Sequence, residues 1–264
     1  MKLRIAILLR QTILSSVLLV TCVGAGFGAD LPSRKETPVL GAEPQFSWTG
    51  LYIGLQGGGD FGRQTGIWGD AKRAGLSPYA NNPEGGLIGG YIGYNYQIGR
   101  IVFGVEADAN EALGVNSSVT TVYNSLGLNG NPVGTTLYRI GGHDIDDENI
   151  RLRFGYAVDR ALLYAAGGVA FGYVNTSYGL ATAAPYLSMT THRTGWTIGG
   201  GLEYAFNNSI SGRIEYRYID FGTKSFTHES ASAGDYDNVG FNSSAVLVGL
   251  TFKFGAPGPA VAAY

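Results

Sequence analysis

The stretch SGRIEYRYIDFG, residues 211–222, sets Arg213, Glu215 and Arg217 two residues apart, with Ile214, Tyr216 and Tyr218 in the gaps. A period of two is a β-strand with one charged face and one apolar face. Charges of both signs on an enclosed face must pair, because an unpaired ion is expensive to bury. The same alternation supplies Asp60, Glu106, Asp108 and Glu203 as further acids, and Arg151, Arg153 and Lys253 as further bases. Five acids face five bases, so the set is neutral. Counted up from the short turns, Glu106 matches Arg153 in height, Asp108 matches Arg151, and Glu203 matches Arg213. Those are the expected pairs.

Other chemistry is sparse. His143, His192 and His228 are the three histidines, all in long connections on one predicted side. They could capture haem or a metal at a surface. No His-x-x-x-His spacing exists, and three solvated loop histidines are the plainer reading. HDIDDE, residues 143–148, could hold a divalent cation beside lipopolysaccharide, but it lacks the EF-hand spacing. His228, Glu229 and Ser230 are the parts of a hydrolytic triad only as sequence neighbours, and no strand-borne histidine supports one. Gly57-x-Gly59-x-x-Gly62 formally matches a dinucleotide fingerprint, but no helical pattern follows it. The expectation is therefore no catalytic residue, no metal site and no cofactor.

The elements that must position these charges are strands. Eight stretches alternate with period two: residues 51–61, 87–98, 101–110, 150–158, 161–173, 195–206, 211–222 and 245–254. Each is about the length a transmembrane β-strand needs, roughly 9–11 residues. No long window carries the 3.6 period of a helix. Three connections are tiny: Gly99-Arg100, Asp159-Arg160 and Asn207-Asn208-Ser209. Four are long: residues 62–86, 111–149, 174–194 and 222–244. The reading is all-β: an eight-stranded, antiparallel, up-and-down transmembrane barrel with four long extracellular loops.

The apolar faces decide which way the strands point. Aromatic residues cluster at both strand ends, with Ile, Val and Leu between them. Tyr94, Tyr96, Phe154, Tyr156, Tyr204, Phe252 and Phe254 lie toward the short turns, and Phe61, Phe171, Tyr173, Trp196, Tyr216 and Tyr218 toward the long connections. Two aromatic girdles around an aliphatic band are what a bilayer selects, and a soluble barrel has no reason to segregate them. Hence Ile214, Tyr216 and Tyr218 are expected to meet lipid, and Arg213, Glu215 and Arg217 the lumen.

The ends complete the outline. Lys2, Arg4 and Arg10, an apolar run from Ile13 to Val23 and small residues up to Ala29 have the order of a secretory signal peptide, residues 1–29. Its removal leaves 15 basic against 20 acidic residues, a balance that argues against nucleic-acid binding. Cys22, the one cysteine, leaves with it. Residues 30–47 read as a periplasmic linker, 48–254 as the barrel and 255–264 as a C-terminal extension.

FSWTGLYIGLQGGGDFG, ALLYAAGGVAFGYV, GWTIGGGLEYAF, GRIEYRYIDFG and VGLTFKF together resemble the porin-family or outer-membrane immunogenic proteins of alpha-proteobacteria, within the wider OmpA-like barrel group. ADLPSRK after the signal is similar to their mature start. The resemblance implies a surface-exposed, antigenic, non-enzymatic barrel of the Gram-negative outer membrane that contributes to envelope integrity. It implies outer-membrane lipids, lipopolysaccharide and the assembly machinery as partners. The alternative it carries is binding of haemin or host surface ligands through the loops. Phe252 and Phe254 resemble the C-terminal assembly signal. The chain continues past Phe254, where relatives tend to stop. A lipid A-modifying enzyme or a small-conductance porin are lesser alternatives.

Overall fold

The computed structural model describes residues 46–70, 76–114, 116–126, 132–180, 182, 187–228 and 235–254. The signal peptide, residues 30–45 of the linker and the extension 255–264 lie outside them. The strands are β1 (Gly50–Asp70), β2 (Leu76–Asn81), β3 (Glu84–Ile98), β4 (Ile101–Leu113) and β5 (Asn116–Leu126), followed by β6 (Pro132–Val158), β7 (Ala161–Leu180), β8 (Leu187–Ala205), β9 (Ile210–His228) and β10 (Asp235–Lys253). Eight of them form the barrel in chain order, every neighbouring pair antiparallel. β10 pairs with β1 and closes the sheet, which leaves no edge in the bilayer. β2 and β5 are short additions that pair with β1 and β6.

Face assignment follows the alternation. Leu55, Leu152, Leu163, Ile198, Ile214, Val248 and their outward neighbours are exposed, whereas the charged residues between them are buried. Ile98 stands opposite Ile101, and Val158 opposite Ala161, each across a two-residue turn.

The stagger of the barrel can be read from its pairing. Followed from partner to partner, Leu51 leads through Tyr94, Val105, Leu152, Gly167, Ile198, Tyr218 and Ser244 back to Phe61, ten residues further along β1. Strand number and stagger together set tilt and width, and an eight-stranded lumen is just wide enough to be filled by side chains. Glycine adjusts the filling. Tyr91 lies over Gly54 and Tyr52 over Gly93, each its direct partner on the neighbouring strand. A Cβ on Gly54 would stand 2.1 Å from the Tyr91 ring.

Much of the long connections is strand as well. β6 and β7 stay paired out to Tyr138 and Leu180, β9 and β10 to His228 and Asp235, and β1 and β10 to Asp70 and Asp235. These arms rise past the outward Ile150 of β6, where Glu148 is the first outward charge. No lipid selects one of their faces there, so they lack the apolar alternation that marks the spanning halves, while the backbone pairing continues along them.

Candidate functional site

The enclosed charges form one connected network in the lumen. Glu106 on β4 is its hub. It accepts from Arg151 Nη2 at 2.5 Å, from Arg213 Nη1 at 2.6 Å and from the Tyr52 hydroxyl at 2.9 Å. Glu215 on β9 accepts from Arg151 Nη1 at 2.6 Å, from Arg217 Nε at 3.0 Å and from the Tyr164 hydroxyl at 2.8 Å. Asp108 accepts from Arg217 Nη1 at 2.7 Å. Toward the short turns, Arg153 binds Glu203, which also accepts from Ser211 Oγ at 2.5 Å. The side chains of the bridging residues are at most 5% exposed.

Three of the arginines have further partners. Arg213 lies 3.5 Å above the Tyr91 ring and donates to Gln56 Oε1 at 2.6 Å. Arg153 lies 3.6 Å above the Tyr164 ring. Arg217 stands 3.8 Å from Asp147. Ionised partners, planar guanidinium groups and enclosure make these the strong kind of hydrogen bond.

Several expectations need correction. Glu203 and Arg213 are register partners across β8 and β9 but share no bond. Glu106 stands opposite Arg151 rather than Arg153, which approaches it only at 3.9 Å. Asp108 stands opposite Asn149 in the register, yet it does pair with Arg151, whose Nε lies 3.3 Å away. Counting residues from each turn ignores the stagger, and an arginine is long enough to cross a narrow lumen. Among the described residues Lys253 binds no acid: its ammonium donates to the Ser47 carbonyl and sits 4.4 Å from the Phe46 ring. Asp60 also stands apart from the arginines and accepts from Ser243 Oγ. Phe46 and Ser47, read from the sequence as linker, are packed under the barrel instead.

Other members were not foreseen as site residues. Asp147 accepts from Asn110 Nδ2 at 3.0 Å and from Asn149 Nδ2 at 2.5 Å, and the same two amides reach Asp108 at 2.8 and 2.9 Å. Asp147 and Asn149 share the parity of Arg151 and Arg153, which was the available signal. Their place in a stretch read as loop concealed it. Tyr52, Tyr91 and Tyr164 share the inward parity of their strands, but parity alone does not show that their hydroxyls and rings serve the charges.

Apolar clusters seal both ends of the network. Trp48, Val102, Ala157, Leu162, Tyr164, Ala166 and Ala205 close the short-turn end. Ala170, Ile219, Phe221 and Phe241 lie above it.

The histidines lie in strands rather than loops. His192 is exposed on the outward face of β8, its ring 4.2 Å from Tyr173. His143 is opposite Asn116 and Asn175, and His228 opposite Asp235; their side chains lie outside the described residues. The HDIDDE stretch is strand too, with Asp147 inward and Glu148 outward, so alternation divides its acids between two faces. Among the described residues, no three His, Cys, Asp or Glu side chains are placed to hold a metal ion. Phe252 and Phe254 are outward and meet edge to face at 5.1 Å.

A model of the family described as "Outer membrane protein beta-barrel domain" matches residues 37–254. The 31 kDa outer-membrane immunogenic protein of Brucella melitensis biotype 1 is 30% identical over 254 residues, covering 93% of this chain and 100% of the relative. The 22 kDa outer membrane protein of Rhizobium leguminosarum bv. viciae is 31% identical over 223 residues, 83% of each chain. Among solved structures, the outer membrane protein OprG from Pseudomonas aeruginosa superposes with a TM-score of 0.48 at 16% identity, over 80% of this chain and 99% of that one.

Proposed function

We propose the function of this chain from one premise: it belongs to the family of outer membrane protein β-barrel domains. It is an integral barrel of the Gram-negative outer membrane, as its relatives are by name. Its work is that of a closed, surface-exposed structural protein, antigenic through its long arms and contributing to envelope integrity. It is neither an enzyme nor a general porin.

One observation carries this reading: Arg151, Arg153, Arg213 and Arg217 cross the lumen to Glu106, Asp108, Glu203 and Glu215. A solute would have to displace buried, multiply bonded ions, and breaking one such pair costs about 3–5 kcal/mol. The test is conductance of refolded protein in planar bilayers. Small, rare events are expected, and stable conductance of general-porin size would sink the closed-barrel reading.

A further inference from the structure

The short-turn mouth of the barrel is closed by a piece of chain that belongs to no strand. Residues 46–49 run beneath the lumen before β1 begins. Trp48 is only 2% exposed and packs on Val102, Ala157, Leu162 and Ala205. Its backbone N–H donates to Gln97 Oε1 at 2.7 Å, and the Gln97 N–H donates to Thr49 Oγ1 at 2.9 Å. The Phe46 ring meets Trp48 edge to face at 5.0 Å.

Two cations hold the outer side of this ring. The Arg160 guanidinium stands 5.2 Å from it and the Lys253 ammonium 4.4 Å. Each cation is itself anchored. Arg160 donates to Asn208 Oδ1 at 3.2 Å, and Lys253 donates to the Ser47 carbonyl. The Lys253 backbone N–H donates to the Ser209 carbonyl at 2.8 Å. Thus the segment is seated on Gln97 at the end of β3, on Arg160 of the second tight turn and on Lys253 at the end of the closing strand, with Asn208 and Ser209 of the third turn behind the two cations.

What it lacks is a ladder. Side-chain acceptors, one lysine and ring contacts hold it, whereas residues 52–61 of β1 are paired on both sides by backbone. Between the two regimes stands Gly50 at φ 141°, outside the range of ordinary side chains, where a Cβ would come within 3.0 Å of the Phe254 carbonyl. The chain therefore has a glycine pivot between a weakly held stopper and a strongly held strand. Beside the stopper lies a partly open pocket of about 10 Å³, lined among others by Phe46, Trp48, Asn208, Ser209, Glu203 and Lys253.

We propose that residues 46–49 are a displaceable stopper, pivoting at Gly50 and latched by the cations of Arg160 and Lys253 on Phe46. Seated, it keeps periplasmic water from the Glu203–Arg153 end of the charge network. Released, it wets that end and leaves Glu106, Glu215 and Asp108 sealed above. This rests on the closed-barrel reading above.

The experiment compares the reactivity of Lys253 and Lys224 toward a water-soluble amine-acylating reagent, in full-length protein refolded in lipid, by mass spectrometry. Lys224 is exposed at the far end and serves as the internal reference. In the native protein Lys253 should react far more slowly than Lys224. Phe46→Ala with Trp48→Ala should raise the ratio about tenfold or more, as expected when a local opening loses its anchors. Arg160→Gln, which touches no ladder bond, should raise it in the same direction, with heat-resistant gel migration reporting an intact barrel in each case. Equal reactivity in the native protein, or a ratio that neither variant moves, overturns the stopper. Porin-sized conductance of the native protein would instead overturn the closed-barrel reading, so the two failures are distinguishable.

Discussion

Glu203 and Arg213 face each other directly across β8 and β9, yet each binds elsewhere: Arg213 reaches Glu106 on β4 at 2.6 Å, and Glu203 holds Arg153 on β6. The lumen is thus tied across its width as well as along its wall. Each arginine bridges strands that are distant in sequence, so the network fastens the closed barrel as a whole. Its energetics should be coupled between opposite walls.

Replacing Arg213 with leucine takes from Glu106 one of its two close arginines and leaves it Arg151 and Tyr52, so it should destabilise the barrel by less than the roughly 3–5 kcal/mol of a fully stranded buried charge. Adding Glu106→Gln to that variant should recover part of the loss, because the under-neutralised carboxylate is gone while Arg151 keeps Glu215. Adding Glu203→Gln should not, since Glu203 answers to Arg153 and Ser211. The check is a pair of double-mutant cycles on the urea midpoint of refolded protein. Greater coupling of Arg213 to Glu203 than to Glu106 would contradict the geometry.

Gly54→Ala should be destabilising by roughly 1–3 kcal/mol, the range for overpacking a filled core. The new methyl meets the Tyr91 ring, which is held by Thr251 Oγ1 at 2.7 Å and lies under Arg213. Moving that ring disturbs both. Gly54→Ala combined with Tyr91→Leu should cost less than the sum of the two single changes. Simple additivity in the urea midpoints would show that the glycine is not there to admit the ring.

A cysteine at Thr120, exposed on β5, should react on intact cells with a membrane-impermeant thiol reagent. One at Arg100, exposed in the tight turn between β3 and β4, should react only after the outer membrane is permeabilised. The sole native cysteine, Cys22, falls in the expected signal peptide and does not interfere. The reverse pattern would place the long arms in the periplasm.

What the sequence determined by itself is the inside and outside of the spanning strands. Lipid tests each outward side chain separately, so Leu55, Leu152, Ile214 and Val248 had to be apolar one by one, and a period of two records that along a single strand. The tight turns were legible for the same reason, since paired residues must share a face. The partners of the buried charges belong to the tertiary structure. They depend on a stagger of ten residues around the barrel, which is a property of all eight strands together, and on arginines that span the lumen. A strand read alone shows that Arg213 points inward; only the closed barrel brings it to Glu106 rather than Glu203. Asp147 was missed for a related reason. It lies where lipid no longer marks one face, and only pairing with β4 and β7 shows that its stretch is strand. The seat of Phe46 and Trp48 is also tertiary, for it is assembled from the end of β3, the turn at Arg160 and the end of β10, which come together only in the closed barrel.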